Sequence, residues 1–102
     1  MRDLYHPRVE DVELANVLHA LSDPVRLDIV RVLSSGGEVT CSSLHSSVSK
    51  STMSHHFKVL REAGVTHTRA DGTKRLMCLR AAELERRFPG LLGSILEASK
   101  AA

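Results

Sequence analysis

Residues 49–64 read SKSTMSHHFKVLREAG, and the way this stretch folds decides the architecture around it. Ser49 is a helix-capping residue type, no Pro or Gly interrupts the run before Gly64, and Gly is the residue that most readily ends a helix. A helix is therefore predicted from 50 to 63. On a wheel of about 100° per residue, Met53, Phe57 and Leu60 gather into one apolar arc. Ser51, Ser54, His55 and Lys58 fall on the opposite side, Arg61 on the flank, and His56 at the edge of the apolar arc. One face is oily and the other is a narrow ridge of hydroxyls, imidazole and positive charge.

Working towards the N-terminus, a short helix is expected over 41–48, with Thr40 as its cap and Leu44 and Val48 one turn apart. Only two or three residues then separate it from the helix at 50, the spacing of a helix-turn-helix. Upstream, Val12, Leu14, Ala15, Leu18 and Leu21 recur at intervals of three and four over 11–21, and a second helix is expected over 24–35. Asp23 is its cap, Pro24 its first residue, Val25, Ile29, Val30 and Leu33 its inward side, and Gly36-Gly37 its end.

Beyond Gly64 the period changes. Residues 65–70 are rich in β-branched types, Asp71-Gly72 is a turn signal, and Leu76, Met77 and Leu79 follow, so 65–80 reads as a β-hairpin. A helical turn around 82–87, a break at Pro89-Gly90 and a last helix carrying Leu91, Leu92, Ile95 and Leu96 complete a mainly α chain with one small β-hairpin.

Composition narrows the function. The 102 residues fit one domain, 1–102, with an aliphatic core, since Tyr5, Phe57 and Phe88 are the only aromatics. No apolar run reaches the roughly 18 residues of a membrane span, and the N-terminus lacks the apolar stretch of a secretion signal, so no membrane partner and a cytoplasmic location are expected. The net charge of +2 is unevenly spread: residues 50–80 hold seven basic and two acidic residues, and the remainder is acidic overall. A localised basic face of that kind suits a polyanion.

The ridge at 50–63 suits duplex DNA in particular. Short hydroxyls allow close approach to base edges, while Lys and Arg reach phosphates or guanine. A catalytic reading lacks a pocketed nucleophile and a carboxylate to orient a histidine, so no enzyme is expected. A metal reading of His55-His56 fails on geometry, because neighbours on a helix diverge by about 100° and the H-E-x-x-H pattern is absent. No cofactor is expected.

The order of elements, with LSDPVRLDIVRVL and STMSHHFKVLREAG as its most specific parts, resembles the ArsR (arsenic-repressor-like) winged helix-turn-helix repressors over about residues 11–98. The resemblance implies a homodimer paired through its first and last helices, with Leu14, Leu18, Leu91, Leu92, Ile95 and Leu96 at the interface. It also implies an inverted-repeat operator, the helix at 50–63 as recognition helix, and the hairpin as wing. By position, Lys50, Ser51, Ser54 and His55 match the base-reading residues, with Thr52, Lys58 and Arg61 beside them on the DNA-binding surface; Arg69, Lys74 and Arg75 match the wing. Lys50 stands where glutamine is common.

The departures concern regulation. The segment EVTCSSLH has one cysteine rather than a cysteine cluster, and the last helix has no His or Asp, so neither metal site of the family is present and no effector is named. Dispersed candidates are His6 and His19 as ligands across a dimer, against plain surface histidines. Cys41 and Cys78 form a candidate thiol switch, Cys41 being activated by a helix N-terminus, against two ordinary filler cysteines. The rival functions are a winged-helix module used only for protein contact, and a small enzyme or metal-storage protein.

Overall fold

The protein is described by a computed structural model covering residues 4–44 and 47–100. A short 3-10 turn at Val9–Asp11 leads into α1 (Leu14–Ala20), then α2 (Pro24–Leu33), β1 (Val39–Thr40), a 3-10 turn at Cys41–Ser43, α3 (Lys50–Glu62), β2 (Thr66–Asp71), β3 (Lys74–Leu79), α4 (Ala81–Arg87) and α5 (Leu91–Lys100). The recognition helix expected from the sequence is α3, and β2–β3 is the expected hairpin. This is a winged helix-turn-helix architecture, mainly α with a small antiparallel sheet.

Local chemistry sets most boundaries. The Asp23 carboxylate accepts from the Val25 and Arg26 amides at 2.8 and 3.1 Å and Pro24 opens the first turn, so α2 starts where the sequence placed it. Ser49 caps α3 by accepting from the Thr52 amide at 3.2 Å. Gly64 ends α3 with φ at +87°, and a Cβ there would lie 2.5 Å from a Val12 methyl, so glycine is required twice over.

Three expectations are corrected. α1 begins at Leu14 rather than at 11, because residues 9–11 close a separate 3-10 turn and Val12 is extended. The expected helix at 41–48 is, among the described residues, one 3-10 turn at Cys41–Ser43, with Leu44 already extended; residues 45 and 46 lie outside the described residues. Serines compete with the helical ladder, and Ser43 Oγ donates to the Thr40 carbonyl at 2.7 Å while Thr40 makes no side-chain cap. The hairpin also gains a third strand. β1 pairs with β3 (Val39 opposite Met77, Thr40 opposite Leu76), giving the order β1-β3-β2.

The core lies between the helices and one face of this sheet. Val17, Ala20, Ile29, Val30, Leu33, Met53, Leu60, Val65 and Met77 are buried. Met53 and Leu60 anchor α3, each contributing about 1.5–3 kcal/mol when fully buried. The opposite face of α3 is thereby held outward.

Candidate nucleic-acid interface

Along α3, Lys50, Ser51, Thr52, Ser54, His55 and Lys58 are exposed, Arg61 is half-buried, and Met53, His56 and Leu60 are buried. The outward ridge is thus the one read from the helical wheel. Its N-terminal hydroxyls are coupled: Ser49 Oγ donates to Thr52 Oγ1 at 3.0 Å and lies 3.1 Å from Ser51 Oγ. Ser54 and His55 stand one turn further along, without such coupling among the described residues.

The ridge is held by a contact that the sequence reading passed over. Arg26, only 7% exposed, donates from Nε to the Ala20 carbonyl (2.7 Å), from Nη2 to the His19 carbonyl (3.2 Å) and from Nη1 to His56 Nδ1 (3.1 Å). One guanidinium closes the C-terminal end of α1 and fastens α3 beside it. Guanidinium nitrogens only donate, so His56 Nδ1 accepts and its ring proton sits on Nε2. At the edge of the apolar arc, His56 is nonetheless buried, 7% exposed. The signal was available: Arg26, Ile29, Val30 and Leu33 share one helical stripe, and a cation on a buried stripe must find acceptors.

The wing presents its cations unequally. On β2, Arg69 makes a two-pronged ion pair with Glu38 at 2.6 and 2.8 Å, which holds the Glu38 carboxyl below the usual carboxylate range. Arg80 is buried, donating to the Pro7 carbonyl at 2.8 Å and pairing with Glu83 at 2.9 and 3.1 Å. Arg61 Nε donates to the Tyr5 carbonyl at 3.2 Å. Three of the seven cations between 50 and 80 are therefore tied into the fold. Among the described residues no carboxylate pairs with Lys50, Lys58, Lys74 or Arg75, and all four are exposed. Two lie on α3 and two at the hairpin tip.

The other candidates sit elsewhere. Leu14 and Leu18 are each 45% exposed, one turn apart on α1. On α5, Leu91, Ile95 and Leu96 are half-buried, while Leu92 is buried within its own chain. Cys41 heads a three-residue 3-10 turn with no helix dipole behind it, and burial pushes its thiol pKa up, against the opposing pull of Arg75 and Arg61. The expected activation is absent. Burial raises Cys78 likewise. His6 is no free surface histidine: its Nε2 accepts from the Thr68 amide at 3.0 Å and its ring stacks on His67 at 4.2 Å. His19 is exposed. Among the described residues no three His, Cys, Asp or Glu side chains are grouped to hold a metal.

Comparison with known proteins agrees with this geometry. Residues 21–69, from the end of α1 into β2, match a family described as a helix-turn-helix domain. The chain is 39% identical over 89 residues to the uncharacterized HTH-type transcriptional regulator YceK of Bacillus subtilis, covering 84% of this chain and 89% of that one. It is 42% identical over 65 residues to the arsenical resistance operon repressor of Staphylococcus xylosus, covering 63% and 62% of the two chains. A solved structure of a possible transcriptional regulator for arsenical resistance superposes with a TM-score of 0.64 at 32% identity, covering 87% of this chain and 96% of that one.

The chain belongs to the ArsR family of helix-turn-helix transcriptional regulators. As an ArsR-family member it is a DNA-binding transcriptional repressor. No helix among the described residues is long and apolar enough to cross a membrane.

Proposed function

We propose that this ArsR-family chain represses transcription as a homodimer on an inverted-repeat operator in a promoter, its residues 1–102 acting as one DNA-binding domain. Each α3 enters a major groove, where Lys50, Ser51, Ser54 and His55 stand at the base edges, Lys50 also reaching the backbone with Lys58 beside Thr52, and Arg61 is held back at the Tyr5 carbonyl. Lys74 and Arg75 at the wing tip grip the neighbouring phosphates, with Arg69 in reserve behind Glu38. The reading is that of a cytoplasmic binding protein and not an enzyme.

One observation carries it. Within residues 50–80, the four cations that have no carboxylate partner among the described residues lie on α3 and the hairpin tip, whereas the other three are consumed by the fold. Charge left uncompensated on two adjoining projections suits a backbone that runs past both.

Dimerisation rests on Leu14 and Leu18, whose 45% exposure leaves an apolar stripe open to solvent on α1, joined by Leu91, Ile95 and Leu96. Burying a few hundred Å² of apolar surface at about 25 cal/mol per Å² would contribute several kcal/mol. Two-fold symmetry would then set the recognition helices about 34 Å apart, one turn of duplex. Selection from a random duplex pool, followed by mobility shift, tests the function: enrichment of an inverted repeat is expected, and no enrichment would leave the protein-contact module as the better account. Sedimentation of Leu18→Glu tests the dimer, with a fall to the monomer mass expected.

A further inference from the structure

We propose that His6 is a positioning residue for DNA reading: as a neutral acceptor it clamps the N-terminal arm across the joint between α3 and the wing, fixing the relation between the two DNA-facing projections. This rests on the assignment of α3 and the hairpin as the duplex-contact surface.

Three consecutive arm residues each accept one hydrogen bond from a different element. The Tyr5 carbonyl takes Arg61 Nε of α3 at 3.2 Å, His6 Nε2 takes the Thr68 amide of β2 at 3.0 Å, and the Pro7 carbonyl takes Arg80 Nη1, just past β3, at 2.8 Å. Pro7 is buried, and Gly64, the pivot between α3 and β2, sits under Val12 and Pro7. The sheet order β1-β3-β2 leaves β2 at an edge, where an amide turned away from β3 has no strand partner. Through His6 the arm supplies one.

Of the three acceptors, only the imidazole can change sign. Protonated, Nε2 becomes a donor facing the Thr68 donor, and the contact is lost. Three neighbours oppose that charge: His67 stacks on the ring from β2 at 4.2 Å with planes 15° apart, Arg61 faces it from α3, and Arg80 from the end of β3, its charge partly offset by Glu83. Burial first, then His67, Arg61 and Arg80, hold the His6 pKa below its ordinary value of about 6.5, a backbone hydrogen bond at Leu4 opposing them. The clamp is therefore complete above the ordinary histidine value and is lost as pH falls through the lowered folded value.

The test uses the full chain as wild type, His6→Gln and His6→Ala. A duplex selected by the wild type at pH 7.5 and a random duplex of equal length are the probes, with Thr68 amide exchange followed by NMR in the free protein. Gln can accept the Thr68 amide without titrating. At pH 7.5, His6→Gln should bind as the wild type does, and His6→Ala about three- to tenfold more weakly on the selected duplex, the loss of one hydrogen bond. Between pH 7.5 and 5.5 the wild type should lose affinity relative to His6→Gln. Thr68 protection, corrected for intrinsic exchange, should fall over the same range in the wild type and stay constant in His6→Gln. A ratio of wild type to His6→Gln that is flat with pH, or Thr68 protection indifferent to His6, would overturn the proposal while leaving DNA reading intact. Failure of the wild type to select any duplex would overturn the DNA-contact assignment and the proposal together.

Discussion

Arg26 Nη1 lies 3.1 Å from His56 Nδ1, so the first turn of α2 holds the buried side of α3 through a single guanidinium that also takes two carbonyls at the end of α1. Replacing it with Met strips this donor from the Ala20 carbonyl and from His56 Nδ1 while filling much of the space, whereas the His19 carbonyl keeps the Ser22 hydroxyl and amide. Arg26→Met is expected to cost about 2–4 kcal/mol, a fall in Tm on the order of 10–20 °C for a chain of this size. Thermal and urea unfolding measure it, and a loss under about 1 kcal/mol would show that water replaces the guanidinium at little cost.

Salt dependence follows from the count of uncompensated cations. Lys50, Lys58, Lys74 and Arg75 from each of two chains would neutralise about eight phosphates, giving a log–log slope near −7. A titration of specific binding from 50 to 200 mM salt should follow that line. A slope shallower than about −4 would mean that half of these side chains miss the backbone.

Base-reading and backbone-gripping substitutions should separate. Ser54→Ala or His55→Ala is expected to erode discrimination between operator and random duplex by about 1–3 kcal/mol. Lys74→Ala or Arg75→Ala should weaken both equally and flatten the salt slope by about 2 per dimer. Equal losses on both duplexes for all four variants would show that the reading face is elsewhere.

Glu38 holds Arg69 in a two-pronged pair. Arg69→Ala should therefore reduce DNA affinity less than Arg75→Ala does, and Glu38→Gln, by freeing the guanidinium, should raise affinity and steepen the salt slope. Unchanged binding in Glu38→Gln would mean that Arg69 never turns towards the duplex.

Buried Thr66 Oγ1 has no hydrogen-bond partner among the described residues. Val matches its shape without the stranded hydroxyl, so Thr66→Val is expected to stabilise the fold by about 1 kcal/mol, read from the urea midpoint. Destabilisation would reveal a hydrogen bond to Oγ1.

The raised thiols of Cys41 and Cys78 carry less thiolate at neutral pH than free cysteine does. Alkylation at pH 7.5 should run several-fold slower in the native chain than in urea and accelerate as pH climbs past the ordinary thiol range. Native rates equal to unfolded rates would restore the case for a reactive switch.

How much of this was legible in the sequence depended on how local each cause is. The caps at Asp23 and Ser49, the stop at Gly64 and the outward face of α3 all arise within a few residues, and the helical period exposes them. β1 was missed because two residues carry no period; only their pairing with Met77 and Leu76 makes them a strand. The helix expected at 41–48 shows the reverse error, since two apolar residues one turn apart outweighed a run of serines. Charge counting found the basic segment but not which cations the fold consumes, because Arg61, Arg69 and Arg80 meet acceptors far along the chain. The His6–Thr68 contact spans 62 residues, and nothing local announces it.

The small strand β1 has a mechanical consequence. Because Val39 and Thr40 pair with Met77 and Leu76, the returning limb of the hairpin and the chain entering Cys41 are strands of one sheet. The wing is thus anchored to the body of the chain along both of its edges, through β1 on one side and through the His6 contact with β2 on the other.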